Sequence, residues 1–254
     1  MRKLAFVVAF AMLGTLLGVA PAVAQTQPAP DIKTFCDTVL KVDQAFTKAS
    51  GKSATKKQQQ QIGQALAKEE STAPPEIASD VQSFVGIIQS ATQSNQSPSQ
   101  NPTFQQNLTA IDQYLYNSCG YPQVSVTGLE YEFQGIPKTL KTGTVAIQFT
   151  NKGAEVHELA IARLKTNDSL KKILGLSGKE QAKRVDQNIP GGTGVVEPGR
   201  TAYLIVQLTK SGRYGAACFI PVGTTSLAQL QGQSGGGDPH WKHGMYQQFT
   251  VEKA

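Results

Sequence analysis

The apolar residues of this chain change their spacing once, at Gly120-Tyr121-Pro122, and that change constrains the fold more than any other feature. Before it, Phe35, Val39, Val42 and Phe46 recur at four and three, as do Phe104, Leu108, Ile111 and Leu115, which is one face of a helix. Ile77, Val81, Phe84, Val85 and Ile88 draw another such stripe after Pro74-Pro75, a pair that suits a helix start. A weaker helix is expected around Ile62 and Leu66. The stretch from Gln89 to Pro102 is rich in Gln, Ser and Asn and reads as a connection. Helices of this kind joined by short links make a small antiparallel bundle.

Beyond the switch the period is two. Leu129, Tyr131 and Phe133 alternate, then Val145, Ile147 and Phe149, then Leu204, Val206 and Leu208, and last Phe249 and Val251. Turn signals such as Asn151-Lys152-Gly153, Pro198-Gly199 and Ser211-Gly212 separate the runs, which predicts an antiparallel sandwich or barrel. Ser169 to Val185 interrupts the pattern with Leu, Lys and Gln and is expected to be helical, on a loop between strands. Gly191, Gly192 and Gly194 follow no predicted strand and open no helix, so they read as a turn and not a phosphate cradle. The expectation is an α+β chain of two domains, a helical bundle over 25–120 and a β-sandwich over 121–254.

The first residues read as an export signal. Arg2 and Lys3 precede an apolar run from Leu4 to Val19, and Ala22-Val23-Ala24 is a small-x-small cleavage site, giving a signal peptide over 1–24. The run is shorter than the roughly 20 apolar residues of a spanning helix. Loss of Arg2 and Lys3 takes the formal charge from +6 to +4. Short basic pairs such as Lys56-Lys57 and Lys171-Lys172 make no nucleic-acid patch. The expected localisation is secreted or periplasmic. Asn95, Asn107 and Asn167 stand in Asn-x-Ser/Thr sequons, which matter only in a eukaryotic secretory pathway.

Export also gives meaning to three cysteines. An oxidising compartment favours pairing, and Cys36 and Cys119 both lie in the helical half, which assigns them as a disulfide and leaves Cys218 free. The bridge would close a loop of about 80 residues, worth about 4 kcal/mol on the chain-entropy model. A free exported thiol invites oxidation unless something holds it.

A metal would do so. After signal removal the chain keeps one methionine and three histidines, and all four fall in two short segments that share Cys218. These are His157 in Asn-Lys-Gly-Ala-Glu-Val-His and the run His240, His243, Met245. Soft sulfur with imidazole selects copper among common biological metals, and two His, one Cys and a weak axial Met form the blue-copper set.

Four ordered pieces give residues 123 to 254 a resemblance to the cupredoxins, the plastocyanin-like blue copper proteins. They are Phe149-Thr150-Asn151-Lys152-Gly153 before His157, Glu197-Pro198-Gly199 before a strand, Gly212-Arg213-Tyr214 leading to Cys218, and Pro239-His240 with Gly244-Met245. The resemblance implies a cupredoxin-like sandwich and a type 1 copper site with His157, Cys218 and His240 in the trigonal plane and Met245 axial. Tyr214 and Cys218, four apart on a strand, face one side, and Asn151 and Gly153 would shape the turn toward His157. His240 is preferred to His243 because it follows Pro239 and Gly244 can turn it back beside Met245. This chain departs from the family in two places. A segment rich in Gly, Ser and Gln, 222–238, separates Cys218 from His240, and Glu158 follows His157 where plastocyanins commonly have Asn.

The function implied is an exported one-electron carrier, not an enzyme, with a possible redox partner protein and no membrane span after signal cleavage. No Ser/His/Asp grouping is available, and a multicopper oxidase would need further imidazoles. Two alternatives stand beside it: a copper storage or transfer protein without redox cycling, and a metal-free sandwich serving as an interaction module. A carrier is expected to hold its imidazole near the surface in an apolar rim, to which Trp241 could contribute if it is not a core residue.

Overall fold

The computed structural model describes residues 31–49, 55–94, 98, 101–186, 191–231 and 236–254. The expected signal peptide and Asn95 lie outside the described residues. Among the described residues four helices come first: α1 (Ile32–Ala49), α2 (Lys56–Thr72), α3 (Ala78–Ser94) and α4 (Pro102–Ser118). Their starts follow from local chemistry. Thr55 and Gln58 form a reciprocal capping box at α2, and Asn101 caps α4 ahead of Pro102. The apolar stripes meet in one core of Phe35, Leu66, Val81, Val85, Ile111 and Leu115, among others. Cys36 and Cys119 are joined, tying α1 to the end of α4.

Nine strands follow: β1 (Gln123–Leu129), β2 (Glu132–Gln134), β3 (Thr139–Lys141), β4 (Gly143–Asn151), β5 (His157–Arg163), β6 (Gly192–Val196), β7 (Thr201–Leu208), β8 (Gly212–Ala217) and β9 (Tyr246–Glu252). They form two sheets, β2-β1-β4-β7 and β3-β9-β8-β5-β6. The ladders are antiparallel except β1–β4 and β3–β9, which run parallel. Parallel neighbours need a crossover, and the chain between β1 and β4 supplies it by passing from one sheet to the other through β2 and β3.

The sandwich core is built from the expected alternation. Val145, Ile147, Phe149, Val206, Leu208, Phe249 and Val251 are all buried within it. One run behaves differently. Leu129, Tyr131 and Phe133 do not share a strand, because the chain turns at Glu130–Tyr131 and pairs β1 with β2. The inward residues of β1 are Val124 and Val126 instead.

The two halves pack through the outer face of the β7 edge. Ile205 joins the helical core, Tyr203 meets Tyr116 at 5.2 Å, and the Gln207 amide donates to Asp43 and to the Leu40 carbonyl. The segment Ser169–Val185 is helical but broken in two, α5 (Leu170–Leu174) and α6 (Gly178–Arg184), with Gly175 capping the first. Leu170 of α5 sits so close to Gly215 of β8 that a Cβ there would collide with it. Two more short elements stand among the described residues, α7 (Leu227–Gln231) and a 3-10 turn over His240–His243. Asn107 is 5 % exposed and its amide donates to Ser83, so its sequon cannot carry a glycan in the folded chain.

Candidate metal centre

Three side chains from separate stretches converge at one end of the sandwich. His157 is the first residue of β5, Cys218 follows the last residue of β8, and His240 opens the 3-10 turn. Their donor atoms all lie within 4.8 Å of one another, and the three residues are buried. The two Nδ1 atoms are 3.0 Å apart, and Cys218 Sγ is 3.4 Å from His240 Nδ1. Met245 is fully buried in the same core. His243 is exposed and stays outside the group, with Tyr131 lying between its ring (5.3 Å) and that of His240 (4.8 Å).

The backbone locks this arrangement. Cys218 N–H donates to the Met245 carbonyl, Trp241 N–H to the Cys218 carbonyl, and His240 N–H to the Ile220 carbonyl. Gly244, at φ 119°, supplies the left-handed turn that returns Met245 beside His240. The long segment between Cys218 and His240 is pinched at its base, where Pro221 bridges Pro239 and Val222 N–H donates to the Asp238 carbonyl. Its length therefore does not loosen the donors.

On the other side, Asn151 is fully buried and fully used. Its amide donates to the Glu155 and Val196 carbonyls, and its oxygen accepts from Gly153 N–H. That closes the turn carrying the chain to His157, as the sequence suggested. Tyr214 is 2 % exposed, stacks on Phe249 at 5.6 Å, and anchors its hydroxyl on the Lys210 carbonyl.

The sequence did not reveal the two carboxyl groups behind the imidazoles. His240 Nε2 lies 2.9 Å from Glu155 Oε2, which also accepts from Gly223 N–H at 2.7 Å. A carboxylate can only accept, so the proton of a neutral His240 ring sits on Nε2 and the Nδ1 lone pair faces the cluster. Glu130 Oε1 stands 3.4 Å from His157 Nε2, out of line for a hydrogen bond. It accepts instead from Ala154 N–H (2.5 Å) and Glu155 N–H (2.9 Å). Burial works against the Glu130 charge, but these N–H donors hold its carboxyl below the usual range. Gly153 leaves the room this needs, since a Cβ there would collide with both Glu130 and His157. No spacing rule marks these glutamates, because they reach the site from the β1–β2 turn and the β4–β5 turn.

Electrostatics prepare the cluster for a cation. Burial pushes both imidazoles below the ordinary histidine range, with His240 adding to the effect at His157, so both rings are neutral, as metal ligation requires. Burial raises the Cys218 thiol to about 12, although N–H groups of Glu158 and Ile220 point toward the sulfur. Such a thiol ionises only when a metal replaces its proton. Glu158 is half-buried, raised by that burial, and accepts from Phe219 N–H, so it is neither a free rim charge nor an exposed strand-edge group. The imidazoles are fully buried, and their outer nitrogens face the partly exposed carboxyl groups of Glu130 and Glu155. Trp241 is half-buried against α5 in a separate small cluster, and the exposed apolar residue next to Cys218 is Phe219.

No family model and no curated protein matches the chain. Among solved structures it is similar to auracyanin A, a "blue" copper protein from Chloroflexus aurantiacus, at 14 % identity and TM-score 0.34, covering 53 % of this chain and all of that one. It is similar to rusticyanin from Thiobacillus ferrooxidans at 16 % identity and TM-score 0.31, covering 51 % of this chain and 76 % of that one. A multicopper oxidase shares 17 % identity at TM-score 0.29, over 52 % of this chain and 42 % of the oxidase. The two-sheet topology and the His-Cys-His cluster define the class here: a two-sheet β-sandwich with a buried His-Cys-His group, behind a four-helix region.

Proposed function

We propose that this chain is an exported type 1 copper protein acting as a one-electron carrier, in which His157 Nδ1, His240 Nδ1, Cys218 Sγ and the Met245 thioether would hold the copper. The observation that carries the reading is the convergence of two neutral, buried imidazoles and a buried thiol within 4.8 Å. Copper held there would supply one-electron exchange between Cu(I) and Cu(II). Glu155 fixes the His240 tautomer, the Asn151 turn orients His157, and the pinched 222–238 segment keeps His240 and Met245 in place, which limits rearrangement between oxidation states.

Several features favour a carrier over the alternatives. A storage or transfer site needs an exit path, whereas all four donors are fully buried and tied by backbone hydrogen bonds. A catalytic site needs an open ligand position, and burial of the donors argues against one. A metal-free module has no use for a buried free thiol beside two buried imidazoles. Exposed Phe219, adjacent in sequence to Cys218, offers an apolar contact for a redox partner. Export is supported by the Cys36–Cys119 disulfide. Among the described residues no helix is long and apolar enough to cross a membrane.

Titration of the full chain with Cu(II) tests the reading. The expected result is a strong visible thiolate-to-copper band that a reductant bleaches and an oxidant restores. Binding without that band, or a band that does not cycle, would overturn it.

A further inference from the structure

A second concentration of ionisable groups, Glu69 among them fully buried, lies far from the His-Cys-His cluster in sequence. Between the helices and the outer face of β7 is a cavity of about 950 Å³, at the upper end of the roughly 300–1,000 Å³ of small-molecule sites. Its walls are mostly apolar, with Val39, Ile88, Leu108 and Ile205 lining it and Phe84 stacked on Phe104 at 5.2 Å.

The polar part of the lining is unusual. Asp43 of α1, Glu69 of α2 and Asp112 of α4 all face this space. Glu69 is 1 % exposed, and its Oε2 has no hydrogen-bond partner. Burial raises all three carboxyl groups, Glu69 to about 7, and the charges of Asp43 and Glu69 raise Asp112 further. Asp43 is relieved only by the Gln207 amide. Among the described residues no Lys or Arg forms an ion pair with any of them, and exposed Lys48 in the lining is no exception.

Glu69 is the buried one of the three, with Asp112 half-buried and Asp43 at the open side. An unpaired buried carboxyl group costs stability, and an apolar residue of like volume would serve a structural core as well or better. Three acids converging from three helices into an apolar cavity are instead complementary to a positive charge brought by a ligand. The three carboxyl groups do not form a tight metal-holding group, since the one such cluster among the described residues is at the copper donors.

We propose that this cavity binds an amphipathic organic cation, a small molecule whose protonated amine sits among Asp43, Glu69 and Asp112 and whose apolar body lies against Phe84 and Phe104. The charge selects against fatty acids and other anions, and the aromatic pair favours a flat or unsaturated body and a nearby cation. The site is independent of the copper reading.

Fluorescence titration of the full chain at neutral pH with dansylcadaverine, a lipophilic amine, tests this. N-pentyl dansylamide serves as the uncharged analogue and anilinonaphthalene sulfonate as the anion. The amine should saturate a single site about tenfold or more tighter than the uncharged analogue, with the anion weakest. Glu69→Gln and Asp112→Asn should each weaken the amine about tenfold while leaving the uncharged analogue within about twofold. Leu108→Trp, which fills the cavity and keeps every acid, should abolish binding of both. Helical circular dichroism and a cooperative urea transition report that each variant is folded. No binding of the amine, equal binding of the uncharged analogue, or retention of amine affinity in the folded variants would overturn the proposal.

Discussion

The two halves of this molecule bury ionisable groups in opposite ways. In the sandwich, Asn151 and His240 each have polar partners, and the imidazoles and thiol face one another closely enough to share a cation. In the helical half, Glu69 and Asp112 are surrounded by apolar side chains and other acids, and one oxygen of Glu69 has no partner. The first arrangement is shaped to the size of one ion, and hydrogen bonds to the backbone hold it rigid. The second is wide, apolar and held only by helix packing. A close-set donor group suits a metal, whereas a broad cavity with loose negative charge suits an organic cation.

The largest expected effect separates the halves outright. Cys218→Ser should remove the visible copper band completely, and His240→Ala should do the same, with the helical signal in circular dichroism unchanged. Loss of helix together with the band would show that the halves are not independent.

The converse change acts on the helical half. Replacing Cys36 and Cys119 by Ala should lower its stability by about 4 kcal/mol on the chain-entropy model, with a shortfall if the unfolded chain is compact. Denaturant unfolding followed by helical signal should shift, while the copper band persists to higher denaturant. Simultaneous loss of both would mean that the β7 interface couples the halves tightly.

A smaller effect comes from pH. Glu69 is raised from 4.5 to about 7 by burial, so the folded state holds a proton that the unfolded chain has released between those values. Stability is then full below pH 4.5 and falls as pH rises toward 7, by roughly 3 kcal/mol in all. Asp43 and Asp112, also raised, add slope of the same sign. Glu69→Gln should flatten the dependence of helical unfolding on pH, measured by urea midpoints across this window. An unchanged slope would place the Glu69 carboxyl in contact with solvent.

Smaller still is the change expected at Glu155. Glu155→Gln keeps an acceptor for His240 Nε2–H but replaces the carboxylate by an amide. The reduction potential should rise, by roughly 60 mV if Cu(I) is favoured about tenfold. Spectroelectrochemistry reads this, and a fall in potential would reject the electrostatic role. Least of all, His243→Ala should leave the band intact, since His243 is exposed and outside the donor cluster. Loss of the band in that variant would require the site to be rebuilt around His243.

Much of this was written in the chain. The change of period at Gly120 separated helices from strands, because side-chain direction repeats every 3.6 residues in one and every two in the other. The rarity of His and Met drew attention to His157, Cys218, His240 and Met245, and the structure brings the first three together. An expected export signal and an odd cysteine count predicted the Cys36–Cys119 pairing, which the structure contains.

Other features depended on contacts between distant segments. Periodicity gives no strand direction, so the parallel ladders of β1–β4 and β3–β9 were not legible. Alternation through Leu129, Tyr131 and Phe133 looked like one strand because a tight turn preserved the pattern of residue types. Glutamates are common on surfaces, and nothing local distinguishes Glu130, Glu155 or Glu69 from Glu70. Their roles arise where turns or helices far apart in sequence close around them. Residue types and spacing determined which donors exist and which elements carry them, since those follow from local backbone geometry. Only the tertiary structure decided what stands behind each imidazole and which acids lose their water, because desolvation and proximity belong to the packed chain.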